Sequence, residues 1–421
     1  MSWKSERSVA AAPRPVSGAA LSARGLGRRE FLKAAAGAAA VTLVAPAAVR
    51  GAEAGAKIRL GLAGCGGRGG WIADLFAADG HYEITAVHDY FKERADRVGG
   101  KHNVPEDRRF TGLGGYKALL DAPIDAVAVI TPPYFHPEQA AMGVEAGKHV
   151  YLAKPIAVDA PGCNSVGASG KKATEKGLVF LVDFQTRADP LYMEALKRVR
   201  EGAIGEFAFG ESSYQCGRLG QQGDASGPEG RLRNWVFDKA LSGDIITEQN
   251  IHTLDVMNWI MDAPPVRCWG TGGRRVRVDV GDCWDNFTLT FEYPGRVGVA
   301  FASRQFEGHG TKPDGILNRM FGTKGVLETS YGGQVLIRGA NFWRGGTCPG
   351  IYKDGAVANI AAFAAAIAGG KTENATVPPS VQSNLITIMG RTAAYTGEVV
   401  TWDAITKSTE RLDGRLEGLK A

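Results

Sequence analysis

The sequence predicts an α/β fold: a doubly wound parallel-sheet domain first, then an α+β domain with an open, mostly antiparallel sheet. Three observations lead there. Between residues 57 and 180, short runs rich in Val, Ile, Leu and Ala alternate with helical stretches, the rhythm of a parallel sheet buried on both faces. Between residues 184 and 355 the runs alternate apolar with polar, as strands with one wet face do. The length of 421 residues suffices for two cores.

The first 54 residues stand apart. Arg28-Arg29-Glu30-Phe31-Leu32-Lys33 precedes the alanine-rich apolar run Ala34 to Val44, the order of a twin-arginine export signal. The apolar run is too short to span a bilayer as a helix. Cleavage is expected after Ala52-Glu53-Ala54, with Ala45-Pro46-Ala47 as the second choice. The expected location is the periplasm, or another exported compartment, with no membrane attachment after cleavage. Because the twin-arginine route carries folded proteins, a protein that acquires a cofactor before leaving the cytoplasm has a reason to use it.

Charge narrows the partners. The formal +5 comes from the leader, which holds eight of the 49 Lys and Arg and three of the 44 Asp and Glu, leaving 41 of each beyond it. A neutral mature chain offers no basic field to nucleic acid. Cys65, Cys163, Cys216, Cys268, Cys283 and Cys348 form no C-x-x-C pair, so no metal site is expected. Their disulfide state stays open, with Cys65 read as a packed thiol.

In the first domain, strands are read at Lys57–Ala63, Glu83–Asp89, Asp125–Thr131, Lys148–Leu152 and Leu178–Asp183. Helices are read at Gly69–Ala78, Lys92–Gly99, Tyr116–Asp121, Pro137–Ala146 and Ala160–Lys176. Gly64, Gly66 and Gly69 fit G-x-G-x-x-G, with Arg68 inside the turn, between a strand and a helix. The first glycine makes the turn, the second admits a pyrophosphate to backbone N–H groups, and the third lets helix pack on strand. Asp89 follows twenty residues later, at the end of the next strand. Its carboxylate would accept ribose hydroxyls and repel a 2′-phosphate, favouring NAD over NADP; Arg94, five residues on, blurs that preference. This is the signature of a Rossmann domain, assigned to residues 55–183.

Residues 184–355 carry strand-like runs at Phe207–Tyr214, Arg274–Val280, Asp285–Glu292 and Arg296–Ser303. Residues 356–421 are read as a helical segment (Ala356–Ala368, Ser380–Gly397) that packs back on the first domain. If Glu248–Trp259 is one helix, then Glu248, His252 and Asp255 share a face at i, i+4 and i+7.

Four segments carry a resemblance. Ile130-Thr131-Pro132-Pro133-Tyr134-Phe135-His136, Glu145-Ala146-Gly147-Lys148-His149-Val150-Tyr151-Leu152-Ala153-Lys154-Pro155 and Ser242-Gly243-Asp244-Ile245-Ile246-Thr247-Glu248-Gln249-Asn250-Ile251-His252-Thr253-Leu254-Asp255 occur in that order. Thr392–Trp402 closes the set. In order and spacing these resemble the signatures of the Gfo/Idh/MocA oxidoreductases, in an exported subgroup. The resemblance implies an NAD-dependent enzyme acting on a secondary hydroxyl of a sugar or glycoside, with C3 of a pyranoside the first carbon to test. The cofactor would be held tightly and recycled by a second sugar or carbonyl substrate.

It further implies that Lys154 and His252 flank the reacting carbinol with Glu248 beside them. A hydride transfer needs a base for the hydroxyl proton, which His252 can be near neutral pH. A lysine can stabilise the developing alkoxide. Thr131, Pro132 and His136 would lie along the cofactor, with Lys154 at its reactive end. Gln185, Arg187, Arg233, Trp235 and Asp255 would contact the sugar. One sheet face would build a homo-oligomer, a dimer or tetramer. Two departures stand out: Ala153 replaces the Glu that usually precedes Lys-Pro, and Glu248 replaces an Asp. Two other readings stay open: an NAD-dependent glycosidase working by transient oxidation and elimination, and a non-catalytic NAD-bound binding protein.

Overall fold

The computed structural model describes residues 56–421; the twin-arginine pair and both expected cleavage positions lie outside them. The first sheet comprises β1 (Ile58–Ala63), β2 (Tyr82–Asp89), β3 (Arg109–Thr111), β4 (Ala126–Val129), β5 (His149–Ala153) and β6 (Phe180–Asp183). Their order is β3-β2-β1-β4-β5-β6, every pairing parallel. The order reverses between β1 and β4, which opens a crevice at the strands' carboxyl ends.

Helices α1 (Gly67–Asp79), α2 (Lys92–Lys101), α3 (Gly115–Asp121), α4 (His136–Glu145) and α5 (Ala160–Glu175) connect the strands. The entry to α5 shows why they form where they do. Asp159 accepts the N–H of Gly162 at 2.8 Å, and a proline occupies the first turn, so an orphan donor is capped and φ is preset. The buried face of α5 (Gly162, Cys163, Val166, Gly170, Ala173) is made of small residues, which allows close approach to its neighbours.

After α6 (Pro190–Arg200), the chain enters the second sheet with β7 (Phe207–Cys216). It then makes α7 (Gly227–Arg233), α8 (Lys239–Ser242), α9 (Ile245–Glu248) and α10 (Ile251–Met261). β8 (Arg267–Gly273), β9 (Asn286–Tyr293), β10 (Val297–Gln305), β11 (Gly315–Gly322), β12 (Gly325–Ser330), β13 (Gln334–Gly339) and β14 (Trp343–Thr347) follow. α11 (Ile351–Ala368), α12 (Val377–Thr396), β15 (Val400–Thr401) and α13 (Trp402–Thr406) complete the elements. The nine strands run β14-β13-β12-β11-β7-β10-β9-β8-β15, and only β7 and β10 pair in parallel.

Three expectations need correction. Arg274–Val280 is a loop, because the Asp285 carboxylate takes the successive N–H groups of Arg275, Val276 and Arg277 at 2.9, 2.7 and 2.7 Å, which removes them from any ladder. Glu248–Trp259 is two helices broken at Gln249–Asn250. The C-terminal segment is helical only in α11, α12 and one turn at α13.

Residues 407–421 run as an irregular strap across the first domain. Leu412 N–H reaches Asp159 at 3.0 Å, Lys420 N–H reaches the Tyr90 hydroxyl at 3.1 Å, and Leu113 N–H reaches the Lys420 carbonyl at 3.0 Å. Leu416 and Leu419 pack with Phe91, Leu232, Tyr134 and Trp235. The main core joins both sheets through α12, whose Ile386, Met389 and Ala393 are fully buried.

Candidate active site

The glycine turn forms as its sequence requires. Gly64 has φ +96°, and a Cβ there would lie 2.7 Å from the Ile130 carbonyl carbon; a Cβ at Gly69 would overlap the Gly64 carbonyl oxygen. Gly66 is open, with only the Arg94 guanidinium within 3.7 Å of a would-be Cβ. Asp89 accepts the N–H of Cys65 at 2.8 Å and of Phe91 at 2.9 Å, so it braces the turn while each carboxylate oxygen keeps a free lone pair. The Cys65 thiol is packed as expected, its Sγ on the His88 carbonyl at 3.4 Å. All six cysteines are free thiols.

Beside the turn lies a groove lined by Gly64, Gly66, Asp89, Arg94, Thr131 and Trp235, among others. A turn whose Gly64 and Gly69 exclude side chains and whose Gly66 leaves the space before it open, beside a ribose-accepting carboxylate, fits the adenosine and pyrophosphate of NAD.

Lys154 follows β5 directly. Its Nζ donates to the Glu248 carbonyl at 2.7 Å and lies 3.3 Å from Glu248 Oε1. The helix break makes this possible: His252 N–H bonds to the Gln249 carbonyl at 3.2 Å, leaving the Glu248 carbonyl to the lysine. Burial lowers the Lys154 pKa below its ordinary 10.5, with Glu248 opposing.

His252 is 8% exposed, and its Nδ1 is buried with no partner. Its ring tilts against Tyr331 with centroids 5.4 Å apart. Burial, then the charges of Lys154 and Arg68, drive its pKa well below 6.5. The imidazole is therefore neutral at physiological pH, with a ring nitrogen unused.

Other expected residues fall elsewhere. His136, expected along the cofactor, has its two ring nitrogens 2.7 Å from the Pro155 and Thr131 carbonyls, tying the loop after β4 to the one after β5. Burial brings its pKa down to about 4, so the neutral ring donates to one of the two carbonyls at a time. Thr131 Oγ1 bonds to Gln139 at 2.7 Å, and Thr131 and Pro132 line the groove.

Arg187 and Asp255, expected at the sugar, are partners of one another. Arg187 Nε and Nη2 lie 3.0 and 2.8 Å from Asp255 Oδ1, Ser383 donates to the same oxygen at 2.7 Å, and the Asp255 side chain is wholly buried. Gln185 is also fully buried, 3.3 Å from Asp183. Arg233 sits 3.9 Å above the Phe91 ring and bonds Glu93 at 2.7 Å. With Trp235 in the groove wall, both belong to the cofactor side. Arg68, expected at the cofactor, pairs with Asp183 and reaches the Tyr352 hydroxyl at 3.1 Å.

Sequence reasoning missed Asp183, Asn359, Tyr331 and Tyr352. They come from β6, the turn after β12 and α11, far apart in the chain, and share no local motif.

With this geometry in hand, the family can be stated. Residues 58–184 match the family model for the oxidoreductase family, NAD-binding Rossmann fold, and residues 192–328 match the GFO/IDH/MocA C-terminal domain. The chain belongs to the Gfo/Idh/MocA oxidoreductase family. It is 27% identical over 250 residues to a scyllo-inositol 2-dehydrogenase (NAD(+)) of Bacillus subtilis, covering 58% of this chain and 65% of that protein. It is 29% identical over 213 residues to a glycosyl hydrolase family 109 protein of Shewanella pealeana, covering 45% of this chain and 46% of that one. Both alignments thus span less than two thirds of the relatives' own lengths. Its fold is like that of myo-inositol 2-dehydrogenase from Lactobacillus plantarum, with a TM-score of 0.65 at 20% identity, over 82% of this chain and 99% of that structure.

Proposed function

We propose that the protein is an NAD-dependent oxidoreductase acting on a secondary hydroxyl of a sugar or glycoside, with C3 of a pyranoside the first carbon to test. The observation that carries this reading is the buried neutral His252, its Nδ1 unused, in the field of a Lys154 ammonium held by Glu248. NAD, bound along the glycine turn and Asp89, supplies the hydride acceptor. His252 takes the hydroxyl proton, and Lys154 hydrogen-bonds the same oxygen as negative charge develops. Glu248 fixes the ammonium through both its carbonyl and its carboxylate. The low proton affinity of His252 keeps it ready as a base, and Lys154 then stabilises the oxygen that loses the proton.

The test is to identify by mass any nucleotide that co-purifies with protein matured after residue 54, then to follow 340 nm absorbance against a panel of glycosides and free sugars. Reduction with formation of a keto-sugar supports the reading. Absence of nucleotide and of NAD binding overturns it. The similarity to a family 109 glycosyl hydrolase supports a second reading, redox-neutral glycoside cleavage, recognised by aglycone release while the bound cofactor stays oxidised.

Two further parts rest on the same reading. Export through the twin-arginine route is supported by Arg28-Arg29 and the apolar run behind them, and is tested by replacing both arginines with lysine and fractionating cells. Homo-oligomer formation is supported by the outer face of the second sheet. There Ala300 and Ala302 of β10 lie beside Thr290 and Thr288 of β9, and the exposed Phe209 stacks on the half-buried Phe321 at 4.4 Å. Light scattering with Phe209→Lys tests that contact.

A further inference from the structure

Asp183 closes β6 and has no exposed surface. Its in-register neighbour on β5 is Ala153, the residue before Lys154, so of the two adjacent strand ends only one carries a carboxylate. Both of its oxygens are engaged: Oδ1 by Asn359 at 2.8 Å from α11, and Oδ2 by Gln185 at 3.3 Å and by Arg68.

Arg68 comes from the first turn of α1, inside the glycine turn. Its Nη1 reaches Tyr352 at 3.1 Å, and its guanidinium carbon lies 5.5 Å from the Trp71 ring centroid and 5.6 Å from that of Tyr352. The guanidinium is thus clamped by Asp183, Tyr352 and Trp71, yet its Nε is buried without a partner. A buried donor left open on a rigidly held cation is costly unless a ligand completes it. The position of Arg68 at the turn that cradles phosphates points to an anionic oxygen. The groups facing this cation are Asp183 on β6, Tyr151 on β5, Tyr331 after β12 and Tyr352 on α11; Lys154 and His252 feel its charge.

We propose that Asp183 is a positioning residue for the cofactor: it holds Arg68 so that the guanidinium donates to the dinucleotide's pyrophosphate or the adjoining ribose, while cancelling charge that would otherwise repel the Lys154 ammonium. This rests on the NAD-dependent reading, and binding measurements keep the two separable. If wild-type protein binds no NAD, that reading fails before any variant is made.

The experiment uses the full mature chain and equilibrium binding of NAD+ and of adenosine, read by tryptophan fluorescence with no sugar present. In Asp183→Asn, NAD+ affinity is expected to fall about tenfold, because a charge-assisted clamp is lost and an uncompensated cation remains. Adenosine, which reads only the Asp89 half of the groove, should bind as in wild type. Arg68→Met/Asp183→Asn leaves no unpaired charge and provides the test should the single variant not fold. It should lose about as much NAD+ affinity as Arg68→Met alone, the non-additivity expected when one residue acts through the other. Wild-type NAD+ affinity in Asp183→Asn, or in the double variant, overturns the proposal. So do additive losses, and so does loss of adenosine binding in parallel with NAD+ in the double variant.

Discussion

Lys154–Glu248 and Arg187–Asp255 are both largely buried pairs of a cation and a carboxylate, and they are opposites in design. Arg187 grips Asp255 through two nitrogens, Ser383 takes a remaining lone pair, and the carboxylate is sealed. Lys154 meets the Glu248 carboxylate at only 3.3 Å and makes its better bond to a main-chain carbonyl, beside a histidine with an unused nitrogen. A saturated pair can hold helices together but has nothing left to offer a substrate. An unsaturated pair is poorer glue and retains the valence that chemistry needs.

The contrast is broken most directly at Lys154. Lys154→Ala is expected to reduce hydride transfer by about a thousandfold or more, measured as single-turnover NADH formation, with the thermal midpoint little changed; an equal loss of stability would erase the distinction. Asp255→Ala should do the reverse, costing about 3 kcal/mol of stability because a largely buried Arg187 is left unpaired, read by urea denaturation, while NAD+ still binds to whatever fraction is folded.

The pH response separates the pairs further. The His252 pKa is depressed in the folded state, so below about pH 6.5 the unfolded chain binds a proton that the folded chain refuses, and stability falls as pH falls through that value. The same depression should place the acid limb of kcat/KM below pH 6.5. Depression of the Lys154 pKa should place the basic limb below 10.5. His252→Asn should abolish the acid limb and flatten the stability slope; an acid limb unchanged in that variant would remove His252 from the role of base. The smallest effect belongs to Arg187→Leu/Asp255→Leu, which replaces the saturated pair with apolar side chains and should shift stability by no more than about 1–2 kcal/mol, with turnover retained.

Legibility followed locality. The glycine turn, Asp89 and the strands around them lie in one stretch whose constraints are steric, so residue type and spacing announced them. Lys154 and His252 could be named from the family pattern, but their surroundings could not be read. The break at Gln249–Asn250 hands the Glu248 carbonyl to Lys154, and nothing in the apolar spacing of that segment distinguishes two helices from one. Arg233 and Trp235 have residue types suited to a sugar, yet α7 and the turn after it carry them to the dinucleotide side. β11 to β14 were missed because glycines at 315, 322, 325, 332, 333 and 339 blur the two-residue alternation on which a strand is recognised.

The strap of residues 407–421 gives the protein a chronology. The groove begins at Gly64, among the earliest parts of the described chain to leave the ribosome, while Leu416 and Leu419, which pack on its wall, are among the last. Once they dock, Phe91, Leu232 and Trp235 of the groove wall are backed by the strap, so local opening of the wall is tied to opening of the strap. Cofactor retention is then expected to depend on an opening rate as well as on affinity.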